Sequence, residues 1–540
     1  MRRPTAAQLR GARPVFVLRV VWAGRLFTFA DRPCTISSDD GTISCHGSLD
    51  LRGYADALGE AGAVQQGGTA SLAVEFPRLD VVDEYLKARP LEGALCELSM
   101  VFAKGATIIT AWEDRLPQLY GTASRPQAGF PGRPAGYAAF TITARPFDDE
   151  TPILRPEWKI SSATQANANL SSTDGVGGAA YPWVFGSPGD AGIPGVPAYL
   201  TNTTPGSREL LIGVGKVQAE FVTPWDDAGV SASGRTVSQR ADGLGTIASY
   251  ADLVSIGGGF NVSGGKHYVS YHSTVNRYGV LSPFRRGPLT EAGDLIRYLY
   301  GLTAFEVDHP AWIAAAPVLD RYRFGGYVND PTTSVARFVR DQLLPRLPVT
   351  LRIGPDGLYP ISLLPLVPLA HLPQVTVSPT QGIEQTSPVQ ITRQLSDVVN
   401  QVALSYYYNA RDGRLVSQAI ASTDPDLSTR TPYAEAQRSA EIYGVRSGAE
   451  VKASYVTEQE TADELLRWLL HDRGFLHMAV QVQAQPRWGW LMVGDQISLT
   501  AADISLTGRR ATVTQKLWDG STSTWRYTLA WSLSPVEYGL

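Results

Sequence analysis

The chain has 540 residues, of which 44% are hydrophobic and 18% charged, with 52 glycines, 36 prolines and a formal net charge of -4. That length calls for roughly three or four domains, and so much glycine and proline points to turns between short elements, not to long helices. A near-neutral balance excludes a tight, sequence-independent nucleic-acid binder, which needs a basic excess, and no apolar run approaches the roughly 20 residues that cross a bilayer as a helix.

Residues 1–147 alternate β-type runs with turns. Two early arginines precede an apolar run that Arg19 interrupts. It reads as a first strand, Val15 to Trp22, and not as a signal peptide, so folding in the cytosol is expected. Asp80 to Ala88 is the one helix candidate in this stretch. Strands at such spacing argue a barrel or a sandwich. Residues 148–180 are polar, small and aperiodic, and read as a linker or extended arm. Residues 181–287 read as a small β-rich domain, because Pro182, Pro188, Pro194 and Pro197 forbid a helix at its start.

Residues 288–374 form a helical module with a β-hairpin. Ala292, Leu295, Ile296, Leu299 and Leu302 make one helical stripe, and Val335, Phe338, Val339 and Leu343 a second. Asp330 followed by Pro331 predicts the N-cap of that second helix. Asp356-Gly357, between two β-type runs, predicts a hairpin turn. In residues 375–540 a second hairpin is expected at Asp412-Gly413, and a short helix within Tyr433 to Val445. A stronger helix starts at a Thr457/Glu460 capping box and stops at Gly474. Its Ala462, Leu465, Leu466 and Leu469 face is expected to pack on the final barrel.

Catalytic chemistry is hard to find. Cys34, Cys45 and Cys96 make no disulfide framework and lack zinc-ligand spacing, so they read as free thiols without metal. His267 and His272 differ by five, which on a strand places them on opposite faces. His471 and His477 straddle a helix end. Gly213 to Lys216 and Gly257 to Gly259 are turns, not phosphate loops. The acidic groups at Asp148-Asp149-Glu150, Asp226-Asp227 and Asp424-Pro425-Asp426 sit in loops, and only a distant carboxylate pair could make a glycosidase of them. No catalytic, cofactor-binding or metal-binding residue is assigned, no cofactor is expected, and the chain reads as a non-enzyme.

Three stretches carry a resemblance: GDLIRYLYGLTAFEVD through VTLRIGPDGLYPI, then QLSDVVNQVALSYYYNARDGRL, then TADELLRWLLHDRG through the Gly494-Asp495-Gln496-Ile497 turn to WRYTLAW. Together they resemble the tail hub, or baseplate hub, proteins of long-tailed bacteriophages. The resemblance implies a mainly β fold with a minor α component (α+β): two tube-like β-barrel domains, 1–147 and 375–540, with the small β-domain and the helical module between. It implies a homotrimeric adaptor at the tail tip or baseplate of a virion, made in the host cytoplasm. Such a hub joins the six-fold tail tube to three-fold tip or fibre components. Its expected partners are itself, the distal tail protein, the tape-measure protein and tip or fibre proteins. DNA would pass through its lumen without specific binding, and no membrane insertion is expected. No long C-terminal fibre module is evident, so tip attachment would fall to a separate protein. The alternatives are a distal tail ring protein and a virion-associated glycan-degrading enzyme.

Overall fold

The computed structural model describes residues 12–58, 68–145, 150–154, 289–307, 309–364, 367–423 and 433–534, with parts of 182–272 and residues 283–284. Most of the 148–180 segment therefore lies outside the described residues. Strand β1 (Arg13–Trp22) sets the pattern of the first third. Phe16, Leu18, Val20 and Trp22 face one core, while Val15 and Val17 face a second, smaller one. Period-two alternation thus serves two apolar faces of one sheet.

After β1 come β2 (Arg25–Ala30), a hairpin of β3 (Cys34–Ser38) and β4 (Gly41–Cys45), β5 (Asp50–Ala57) and β6 (Thr69–Glu75). Helix α1 (Val81–Leu86) follows within the expected Asp80 to Ala88 stretch, capped by the Asp80 carboxylate, which accepts from the Val82 and Asp83 amides. Then come β7 (Leu95–Lys104), β8 (Thr107–Ile108), β9 (Leu116–Ala123), β10 (Gln127–Ala128) and β11 (Tyr137–Ala144). Beyond β12 (Trp183–Phe185) lie β13 (Val196–Asn202), β14 (Arg208–Val214), β15 (Phe221–Trp225), β16 (Ser238–Ala241), β17 (Gly245–Tyr250) and β18 (His267–His272). These last six form their own antiparallel sheet, in the order β15-β18-β13-β14-β17-β16.

The middle of the chain adds helices α2 (Ala292–Gly301) and α3 (Ala311–Leu319), strand β19 (Gly326–Val328) and helix α4 (Val335–Phe338). Helix α4 runs on through a π-helical turn, Val339–Leu343, into the hairpin β20 (Val349–Gly354) and β21 (Gly357–Ser362). Two details differ from expectation. Asp330 spends its carboxylate on its own turn, accepting from the Thr332 amide, and Ser334 caps α4 instead. Helix α3 is hard to read because Pro317 argues against one; it stands two residues before the helix end, where it removes the one bond to the Ile313 carbonyl. The chain then forms β22 (Gln374–Thr376), β23 (Ile383–Gln385), β24 (Gln390–Ile391), the hairpin β25 (Val402–Asn409) and β26 (Arg414–Ala421), helix α5 (Ala434–Tyr443) and β27 (Val451–Ala453). It closes with helix α6 (Gln459–Arg473), β28 (His477–Ala484), β29 (Gln496–Ala501), β30 (Leu506–Asp519) and β31 (Thr524–Ser532).

Among the described residues the largest sheet has 16 strands, and its main path runs β2-β1-β7-β9-β11-β6-β5-β30-β31-β28-β23. It joins the first and last regions of the chain through one antiparallel pair, with Ala57 opposite Gln515 and Gly53 opposite Asp519. Two separate closed barrels are therefore not what the described residues show: the path is open, ending at β2 and at β23. The reason lies in β30. Its first half pairs with β29 and its second half with β5, and a register shift between Val513 and Gln515 separates the halves. A bulge of this kind bends a strand and increases its twist, so one long strand serves two sheet regions.

Buried side chains divide accordingly. One core combines Phe16, Leu72, Met100 and Phe140 from the first region with Val482, Ile497, Trp525 and Leu529 from the last. Another gathers α2, α3, α4 and the β20–β21 hairpin with β25, β26, α5 and α6. Helix α6 thus packs its Ala462, Leu465, Leu466 and Leu469 face into the middle core and not onto β28–β31. Its stripe is as expected; its partner is not, because the β25–β26 hairpin lies over it. The expected capping box is also absent. Glu458 is the N-cap and faces Arg323 at 3.6 Å, without a side-chain capping bond.

Leu466 is fully buried. We expect Leu466→Ala to cost about 2–5 kcal/mol, from lost burial plus a cavity. Chemical denaturation checks this, and a loss within about 0.5 kcal/mol would mark the position as surface-like.

Candidate functional site

The groups considered from sequence do not assemble into a reactive centre. Asp148, Asp149, Asp227 and Asp424 to Asp426 lie outside the described residues, as do Gly257 to Gly259. Glu150 is exposed and Asp226 is buried. His267 and His272 stand at opposite ends of β18, with Ala198 and Phe221 as their respective cross-strand neighbours. Among the described residues no three His, Cys, Asp or Glu side chains could hold a metal ion, and no helix is long and apolar enough to cross a membrane.

His471 and His477 do come together, with Arg393 and Asp472 beside them. Burial, reinforced by the Arg393 charge, pushes His477 down to about 4, and burial also lowers His471. Cys34 and Cys45, eleven positions apart, face each other across the β3–β4 hairpin. Cys96 is buried in the shared β-core.

The most concentrated polar chemistry is structural, and sequence reading missed it. It lies where β5, β9, β20 and β30 meet. Lys516 on β30 stands directly opposite Asp56 on β5. Arg352, from the β20–β21 hairpin, reaches Asp56 Oδ2 at 2.8 Å and donates to the Gln118 carbonyl at 2.7 Å. The Tyr54 hydroxyl is 3.0 Å from Asp56 Oδ2 and 3.1 Å from the Gln118 carbonyl oxygen. Lys516 Nζ donates to Gln118 Oε1 and to the Gly489 carbonyl, each at 2.7 Å, and lies 4.4 Å from the centroid of the Trp525 ring.

A second arm extends the network. Arg115 binds Glu97 at 2.5 Å, donates to the Trp112 carbonyl at 3.2 Å, and reaches Asp356 on the hairpin turn at 3.2 Å. Burial opposes the charge on Arg352, yet the Asp56 carboxylate beside it holds the guanidinium well above its ordinary range. Burial, then the Asp56 charge, raises Tyr54 likewise. Charges this deep are tolerated only when paired and hydrogen-bonded throughout.

The nearby Gly494-Asp495 turn shows why glycine stands there. Gly494 has φ +89°, and a Cβ would come within 2.4 Å of Ile361 on β21. The turn therefore lets the hairpin seat against the last region. Asp495 secures it by accepting from the Met492 amide at 2.8 Å. Beside the turn a cleft of about 450 Å³ opens next to the His309–Tyr359 ring stack. A second cleft, of about 440 Å³, is bordered by Tyr327, Tyr408 and Tyr455.

No protein-family profile and no curated protein matches the chain. Solved structures do match over nearly all of it. They include the tail protein from Neisseria meningitidis MC58, at 8% identity, covering 97% of this chain and 98% of that one, with a TM-score of 0.37. The 43 kDa tail protein of prophage MuSo2 from Shewanella oneidensis matches at 8% identity over 96% and 98%, also with a TM-score of 0.37. Prophage tail protein gp18 from Listeria monocytogenes EGD-e matches at 8% over 97% and 95%, with a TM-score of 0.34.

Two outcomes test this geometry. Arg352→Met leaves the Asp56 carboxylate buried without its guanidinium and should cost about 3–5 kcal/mol, while the Arg352→Met/Asp56→Leu double change should recover much of that loss. A double-mutant cycle by urea denaturation reads the coupling. The histidine pair predicts a pH dependence. A histidine held below its unfolded value of 6.5 favours the fold above that value, and the benefit is lost as pH falls from 6.5 towards 4. Thermal melts should show this decline, and His477→Leu should flatten it.

Proposed function

We propose that the chain is the structural hub of a phage tail tip or baseplate, a trimeric adaptor between a six-fold tail tube and three-fold tip or fibre components. What carries this reading is the join between β5 and β30, which sets two β-rich regions side by side in one chain. Three chains, each contributing two tube-like β-regions, make a ring of six. That ring matches a six-fold tube on one side while keeping three-fold symmetry on the other. The ends of the long sheet at β2 and β23 suit this arrangement: beyond the single bridges to His46 and Ser378, the rest of each strand edge can be covered by the next subunit. The resemblance of the central and C-terminal stretches to tail hubs supports the same role.

In this reading the lumen passes the tape-measure protein and then DNA. The net charge of -4 suits a channel that releases its cargo. The distal tail protein and a separate tip or fibre protein are the neighbours. Chemistry on the cell wall belongs to other components, and this chain is not an enzyme.

Electron cryomicroscopy of the assembled tail tip tests the proposal. Three copies around a central pore are expected. Six identical copies would instead identify a distal ring, and a position off the axis would defeat the hub reading. Incubation with peptidoglycan or capsular polysaccharide should release no fragments; release by the purified chain would favour a glycan-degrading enzyme.

A further inference from the structure

Cys34 and Cys45 close the base of the β3–β4 hairpin as directly opposed residues of an antiparallel pair. Opposed residues of such a pair have Cα atoms about 4.5–5.5 Å apart, within the roughly 4.4–6.8 Å that a disulfide spans. Directly opposed residues also turn their side chains to the same face of the pair, and Cys34 and Cys45 both pack at the same small core. Cys34 is half-buried and Cys45 buried. One thiol therefore meets solvent and the other waits beneath it.

The hairpin has a task. Ile36 and Cys45 pack against Val15, Val17, Val101 and Trp112, sealing the small core on the outer face of β1 and β7. Its tip is tied down, because Ser38 Oγ and the Asp39 amide both donate to Glu113 Oε1, at 2.6 and 3.0 Å. At its base the Cys34–Cys45 pair ends the ladder, and the next residue, His46, is bonded through its backbone to Thr28 and Ala30 of β2.

We propose that Cys34 and Cys45 oxidise to an intrachain disulfide once the chain leaves a reducing cytosol, stapling this hairpin over the core it covers. The change of compartment rests on the tail-tip reading; the pairing itself does not. With oxidised glutathione as oxidant, the Cys34 thiolate attacks one glutathione sulfur, breaks that S–S bond and releases one glutathione thiolate. Cys45 then gives its proton to water and attacks the Cys34 sulfur of the mixed disulfide, releasing the second glutathione. The protein loses two protons and two electrons, and the glutathione disulfide is reduced to two thiols. Cys34 is the more exposed thiol of the pair, and access favours it as the attacking sulfur.

The test uses the full chain. After incubation with oxidised glutathione and denaturation, a thiol-reactive dye should count one thiol where the reduced chain has three. Peptide mapping should find Cys34 linked to Cys45, with Cys96 free. Cys34→Ser, a change at a half-buried strand end, should leave two thiols and no linked peptide. Cys96→Ser should still oxidise and leave none. Three thiols persisting after oxidation, a link through Cys96, or a link between two chains would each overturn the proposal. Each readout is made on the isolated chain, so a wrong copy number at the tail tip would not disturb it.

Discussion

A carboxylate, a guanidinium and an ammonium are held out of water where the two ends of the chain meet. Asp56 comes from the first region, Arg352 from the central hairpin and Lys516 from the last region. Gln118 is the common partner, offering its carbonyl to Arg352 and its side-chain oxygen to Lys516. Each group is satisfied only when all three regions are in place. A slipped register or a detached hairpin would leave a buried charge without its partner, at a cost larger than most single contacts return. The cluster thus acts less as a source of stability than as a condition on how the regions join.

That condition shapes the rest. The β5–β30 pair is possible because β30 bends at its bulge and changes partners along its length. The hairpin β20–β21 reaches the seam because the Gly494 turn leaves room for Ile361. The central helices and the β25–β26 hairpin form their own apolar core, to which α6 belongs. In the proposed ring, this division gives each subunit a β-rich half that can continue around the axis and an α/β half that can carry contacts outward.

Much of the local structure was legible. The short helix after Asp80, the hairpins at Asp356-Gly357 and Asp412-Gly413, and the α2 and α6 stripes follow from turn chemistry and period. What could not be read was which surfaces meet. The α6 stripe says that one face is buried, but apolar side chains carry no address, and the β25–β26 hairpin took the place expected for the final strands. Lys516 shows the same limit at a single residue. Strict alternation from Ala511 and Val513 would turn Leu517 inward; the bulge near Gln515 puts Lys516 there instead. A one-residue shift exchanges the faces of a strand, and the composition of β30 does not announce it. Cys34 and Cys45 likewise look unrelated until the hairpin sets them in register.

The first region, the central hairpin and the last region form one cooperative unit through the buried seam. Native-state hydrogen exchange, followed by mass spectrometry across a denaturant series, tests this most directly. Peptides covering β5, β20 and the second half of β30 should open together, at one common free energy. If β30 and β31 remained protected while β5 exchanged through a separate, lower-energy opening, the two ends of the chain would be independent domains, and the seam would not be what joins them.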